Sequence, residues 1–179
     1  TLCGMTRTEI ETVFVPELQE LALQAETNYD EAIEHLPRQY DGYRFTPEKG
    51  FTPMFNPFSV LNALAKSRFG DYWFASGTPT FLVEILKKTN FDLRELDGIE
   101  VSSASLSDDR ANISNPVPMI YQSGYLTIKS FDQRFRTYTL GFPNEEVKYG
   151  FLNFVAPFYT PVASTDTTFY IGKFVHELE

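Results

Sequence analysis

Apolar positions begin to recur at helical spacing just after Thr6-Arg7-Thr8-Glu9, in which Thr6 and Glu9 stand three residues apart as in a capping box. Ile10, Val13, Phe14, Leu18 and Leu21 then predict an amphipathic helix, and Pro16 inside the run predicts its division or kinking. A second helix is expected from Asn28, with Ile33 and Leu36 turned inward and Asp30, Glu31 and Glu34 forming a solvated acidic face. Between residues 39 and 55 the helical period is lost. Aromatic pairs flank Asp41-Gly42 and a Pro- and Gly-rich loop, the pattern of a short hairpin or an extended crossing. Asn56-Pro57 supplies a cap and a first-turn proline, so Phe58, Val60, Leu61 and Leu64 predict a helix to about Lys66. Thr78-Pro79 repeats the device before Phe81, Leu82, Ile85 and Leu86, and Lys87 and Lys88 suit the C-terminal end of that helix.

The next elements matter mainly for their order. A helical turn at DLREL precedes an extended GIEVSS and a polar SLSDDRAN with one turn's worth of helical character. Asn115-Pro116 opens a helix through VPMIYQSGYL, and two β-rich runs, YLTIKSF and FRTYTLGF, bracket a tip at Asp132 to Arg134. Helix, strand, helix, helix, strand, wing, strand is the order of a winged helix. Pro143 and the polar Asn144, Glu145 and Glu146 open a last helix whose inner face is Val147, Phe151, Leu152, Phe154 and Val155. Beyond Pro157 a Pro-, Ser- and Thr-rich connector leads to FYIGKFVHELE, which stops mid-pattern. The expected fold is mainly α with small β elements (α+β). It comprises a helical region with a short aromatic hairpin over 1–75, a winged-helix-like domain over 76–157, and a connector with the start of a truncated helix over 158–179.

Composition limits the function. With 42% hydrophobic and 16% aromatic residues the chain is far too apolar to be disordered. A net charge of −9 sets its overall field against phosphate backbones and anionic lipid, so a nucleic-acid contact needs a local basic face. The wing offers one in Lys129, Arg134 and Arg136, offset by Asp132, whereas VPMIYQSGYL, in the place of a recognition helix, has neither Lys nor Arg. Specific DNA reading is therefore not favoured. No apolar run reaches the roughly 20 residues of a membrane helix, and the lone Cys3 excludes an internal disulfide and fits a cytoplasmic setting. His35 and His176, the only imidazoles, are read as solvated helical residues, so no metal site is expected. The pairs Asp108-Asp109 and Glu145-Glu146 are sequence neighbours that point apart, and are read as a turn and a helix start rather than an acid–base pair. Arg44 lies among Tyr40, Asp41, Tyr43 and Phe45, where it can pair with Asp41 or stack on a ring. That cluster is the candidate interface. GxxxxGK[ST] is absent, so the chain carries no nucleotide-hydrolysing core, catalytic constellation or cofactor site of its own.

Taken together, YDGYRF (40–45), FNPFSVLNAL (55–64), FGDYWFASGTPTFLVEILKKT (69–89), YQSGYLTI (121–128) and LGFPNEEVKYGF (140–151) resemble a bacterial AAA-ATPase-like family that joins a P-loop ATPase module to a nuclease-like domain of the PD-(D/E)XK type. The resemblance spans most of the chain but covers only the region after the ATPase core. It implies an excised middle piece that neither hydrolyses ATP nor binds DNA alone, and that packs on the ATPase core and couples it to the nuclease-like domain. ATP and Mg are implied for the longer protein only. A winged helix that guides the nuclease-like domain onto nucleic acid is the alternative.

Overall fold

The structure is a computed structural model that describes residues 4–44, 46–47, 51–75, 80–106 and 115–159. Phe45, Thr78-Pro79, Asp108-Asp109, His176 and the final FYIGKFVHELE lie outside the described residues. The capping box forms: Thr6 and Glu9 exchange bonds of 2.7 Å and 3.2 Å at the start of α1 (Arg7–Val13). Phe14 then breaks the helix, and Pro16 sits in the first turn of α2 (Val15–Gln24), where its missing N–H costs nothing. The break changes the helical phase. Ile10, Leu18 and Leu21 remain buried, whereas Val13 is 65% exposed.

α3 (Tyr29–Tyr40) is capped by Asn28, whose side chain accepts from the Glu31 amide at 2.9 Å. It runs on through Pro37, and its inner face is Ala32, Leu36 and Tyr40, with Ile33 only half-buried. Replacing Asn28 by Ala is expected to cost about 1 kcal/mol in denaturant unfolding, the usual loss for an amide-accepting cap. His35 is not a simply solvated residue, because its ring stacks on Phe69 with centroids 4.3 Å apart.

After α3 the chain is extended and pairs through two isolated antiparallel bridges, Met5 with Phe55 and Tyr43 with Met54. α4 (Pro57–Ala65) buries Ser59, Val60, Ala63 and Leu64, so Phe58 and Leu61 face outward. Small residues on the inner face let α4 lie close to its neighbours. α2, α3 and α4 enclose a first core of Leu18, Leu21, Leu36, Tyr40, Phe55 and Val60.

α5 (Tyr72–Ala75) leads into the second unit. There α6 (Thr80–Thr89), a 3-10 turn (Leu93–Glu95), β1 (Ile99–Ser102), α7 (Ser103–Leu106), α8 (Val117–Gln122), β2 (Thr127–Asp132) and β3 (Thr137–Gly141) follow in the winged-helix order. The strands form an antiparallel sheet in the order β1-β3-β2, so the last strand lies between the other two. α8 is shorter than the sequence predicts. Gly124, at φ +82°, ends it by returning its amide to the Tyr121 carbonyl, and Tyr125 and Leu126 enter the core as extended chain. α9 (Glu145–Tyr159) continues past Pro157, where a missing N–H in the last turn removes a single bond. Its Val147, Phe151 and Val155 close a second core around Leu86, Ile120 and Leu140. The described residues are mainly helical with one small sheet.

Candidate functional site

The candidate interface cluster forms the joint between the two cores. Tyr40 is fully buried, and its hydroxyl donates to the Gly70 carbonyl and accepts from the Gly70 amide, at 3.0 Å and 2.9 Å. Asp41 follows as the helix end, and Gly42 turns the chain at φ +98° with Pro143 packed directly against it. Asn144 caps α9 by accepting from the Val147 amide, and donates its side-chain N–H to the Asp41 carbonyl at 2.8 Å. Tyr43 lies against the second core rather than the first. Five consecutive positions thus pass from one core to the other.

Glu146 joins the same region from the other side. Its carboxylate is fully buried, and Oε1 accepts from the Trp73 amide at the start of α5 at 2.7 Å. Oε2 and the Ser59 hydroxyl lie close enough for the hydroxyl to favour the charged form, yet neither completes a hydrogen bond of normal geometry. Burial is the larger effect and holds the carboxyl above the usual glutamate range. Sequence reading treats this residue as one of two acidic residues at a helix start, and no local signal separates it from Glu145.

Arg44 does not pair with Asp41. Its Nη1 donates to the Lys129 carbonyl at 3.2 Å and its Nη2 to the Phe51 carbonyl at 3.3 Å, while its backbone amide donates to Thr127 Oγ1 at 2.8 Å. The reason is a β-bulge. Ile128 pairs with Leu140 and Ser130 with Thr139, so Lys129 is an extra residue with no place in the ladder. Its carbonyl is free for the guanidinium, and bulges re-aim side chains in this way.

Arg44, Pro47, Lys129, Ser130, Asp132 and Arg134 are among the residues that line a cleft of about 640 Å3. Asp132 is engaged at the tip, where Oδ1 accepts from the Arg134 and Phe135 amides at 2.7 Å and 3.0 Å. The Lys129 stem crosses Gly141. Loss of hydration lowers the Lys129 pKa, repulsion from Lys148 and Arg44 adds to this, and attraction to Asp97 opposes it. Asp97 itself pairs with Lys148 at 3.5 Å.

Of the three basic wing residues, Lys129 and Arg134 share this cleft. Arg136 does not line it: at φ +52° it gives its carbonyl to the Ser103 amide and hydroxyl, beside α7. None of the three forms an ion pair among the described residues. α8 buries Val117 and Ile120 and presents no cation. Tyr43 packs against the second core and Phe55 belongs to the first. Among the described residues no helix is long and apolar enough to cross a membrane, and no three or more His, Cys, Asp or Glu gather as metal ligands.

Comparison with known proteins adds one long relative. Over 150 residues, 82% of the chain, the sequence is 36% identical to the "uncharacterized protein in vnfD 5'region" of Azotobacter chroococcum mcd 1. No protein-family model and no solved structure matches the chain. The match spans 26% of that relative's length, so the chain is similar to one part of a much longer protein.

Proposed function

We propose that this chain is the non-catalytic helical and winged-helix region of an AAA-ATPase-like protein, which packs on an ATPase core and passes its nucleotide state to a nuclease-like domain. The observation that carries this reading is the joint. Asp41 bonded to Asn144, Gly42 packed on Pro143, and the Trp73 amide bonded to Glu146 tie the two cores together through part-buried contacts, so a displacement applied to one is delivered to the other. The family resemblance and the much greater length of the relative support it further.

The purified chain is expected to turn over no ATP and to bind no DNA at sub-micromolar concentration in physiological salt. Either activity overturns the reading. In the longer protein, Glu146→Ala should leave ATP hydrolysis in place while weakening its control of the nuclease-like domain, read as the ratio of the two activities.

A nucleic-acid-binding winged helix that guides the nuclease-like domain is the second reading, favoured by the shared cleft of Lys129 and Arg134. It predicts that replacing Lys129, Arg134 and Arg136 by Ala in the longer protein weakens DNA binding and makes its salt dependence shallower.

A further inference from the structure

We propose that the cleft between Arg44 and the bulged base of the wing is an oxyanion site that takes a phosphoryl group. This goes beyond the coupling role and stands or falls separately from it. The cleft's volume of about 640 Å3 lies within the range of about 300–1,000 Å3 usual for small-ligand sites.

Three cations line it, and the one carboxylate among its lining residues is already bonded to two amides of the wing tip. On a chain of net charge −9, three cations in one cleft with no ion pair among the described residues are not explained by solubility alone. They come from segments more than eighty residues apart. The bulge at Lys129 makes the meeting possible by taking the residue out of the ladder and giving its carbonyl to Arg44.

The guanidinium is also incompletely used. Each of its two outer nitrogens gives one N–H to a carbonyl, which fixes the group in orientation and leaves each a second N–H. A planar donor set fixed beside a flexible ammonium suits a tetrahedral oxyanion better than a single carboxylate. The lowered pKa of Lys129 is consistent with this, since a bound anion offsets the repulsion from Arg44 and Lys148.

The ligand chemistry has two sources, a free phosphate compound or the phosphodiester of a nucleic-acid strand. The test titrates the intact chain with inorganic pyrophosphate and, separately, with a fluorescent thymidine dodecamer at about 150 mM salt. Saturable binding between about 1 μM and about 1 mM is expected for at least one probe, weaker than the sub-micromolar DNA binding that would overturn the coupling role. Lys129→Gln and Arg134→Gln should each weaken it about tenfold. Neither side chain belongs to either core, so these variants keep the fold even where Arg44→Gln does not. Arg136→Gln, outside the cleft, should change affinity by less than about twofold. Pyrophosphate binding identifies a free phosphate ligand, and binding of the dodecamer alone identifies a strand. Failure of both probes to bind, no effect of Lys129→Gln and Arg134→Gln, or an equal effect of Arg136→Gln overturns the proposal.

Discussion

Gly42→Ala is expected to lower the unfolding free energy by at least about 3 kcal/mol. A methyl group at this position meets the Pro143 carbonyl oxygen at 2.0 Å and its carbon at 2.9 Å, inside any permitted contact. The obstacle is backbone, so no rotamer change relieves it. The φ of +98° adds the strain that any L side chain meets in that region, of order 1–2 kcal/mol. Gly98 separates the two effects, because its φ is +100° and nothing lies within 4 Å of the added carbon. Gly98→Ala should therefore cost only the conformational part, about 1–2 kcal/mol. Chemical denaturation of both variants checks this. If Gly42→Ala proves no worse than Gly98→Ala, the close packing of residues 42 and 143 does not hold the two cores as described.

The contrast shows what the sequence could reveal. Asp41-Gly42 is visible as a turn, since the dipeptide favours left-handed backbone whatever surrounds it. That Pro143 closes on it is a tertiary fact a hundred residues away. Elements with local causes were legible: the Thr6 and Asn28 caps, the break near Pro16 and the winged-helix order all follow from short-range chemistry. Faces were less so. Phe58 and Leu61 help to predict the helix without fixing its face, and the small Ser59 and Ala63 take the inner side of α4 while Phe58 and Leu61 stay exposed. The candidate site shows the same division. Lys129 and Arg134 stood out as wing cations, yet the bulge at Lys129 is invisible in an apparently regular YLTIKSF, and Arg44 was read against its sequence neighbour Asp41. Long side chains reach whichever acceptors the backbone leaves free. At Arg44 these were two carbonyls.

Glu146 is the other position where one substitution should matter most. Glu146→Ala removes the acceptor of the Trp73 amide and leaves a void among α4, α5 and α9, and orphaning a buried donor alone costs about 1–3 kcal/mol. Against this, the variant no longer has to bury a carboxylate. The expected net loss is roughly 2–3 kcal/mol at neutral pH, because cavity and orphaned amide act together. Glu146→Gln keeps an oxygen for the Trp73 amide without the charge, and should stay within about 1 kcal/mol of the parent. The pH dependence then tests the cause. The carboxyl's folded pKa lies above its unfolded value, so its contribution is complete below about pH 4.3 and is lost as pH rises through the folded value. The parent should therefore gain stability relative to Glu146→Gln on acidification from pH 7.5 towards pH 5. Asp41 and Asp71, also raised by burial, are common to both proteins and cancel in the difference. A difference that stays constant across that range would mean the Glu146 carboxylate is solvated in the folded protein, and α9 would then not be anchored through a buried charge at the joint.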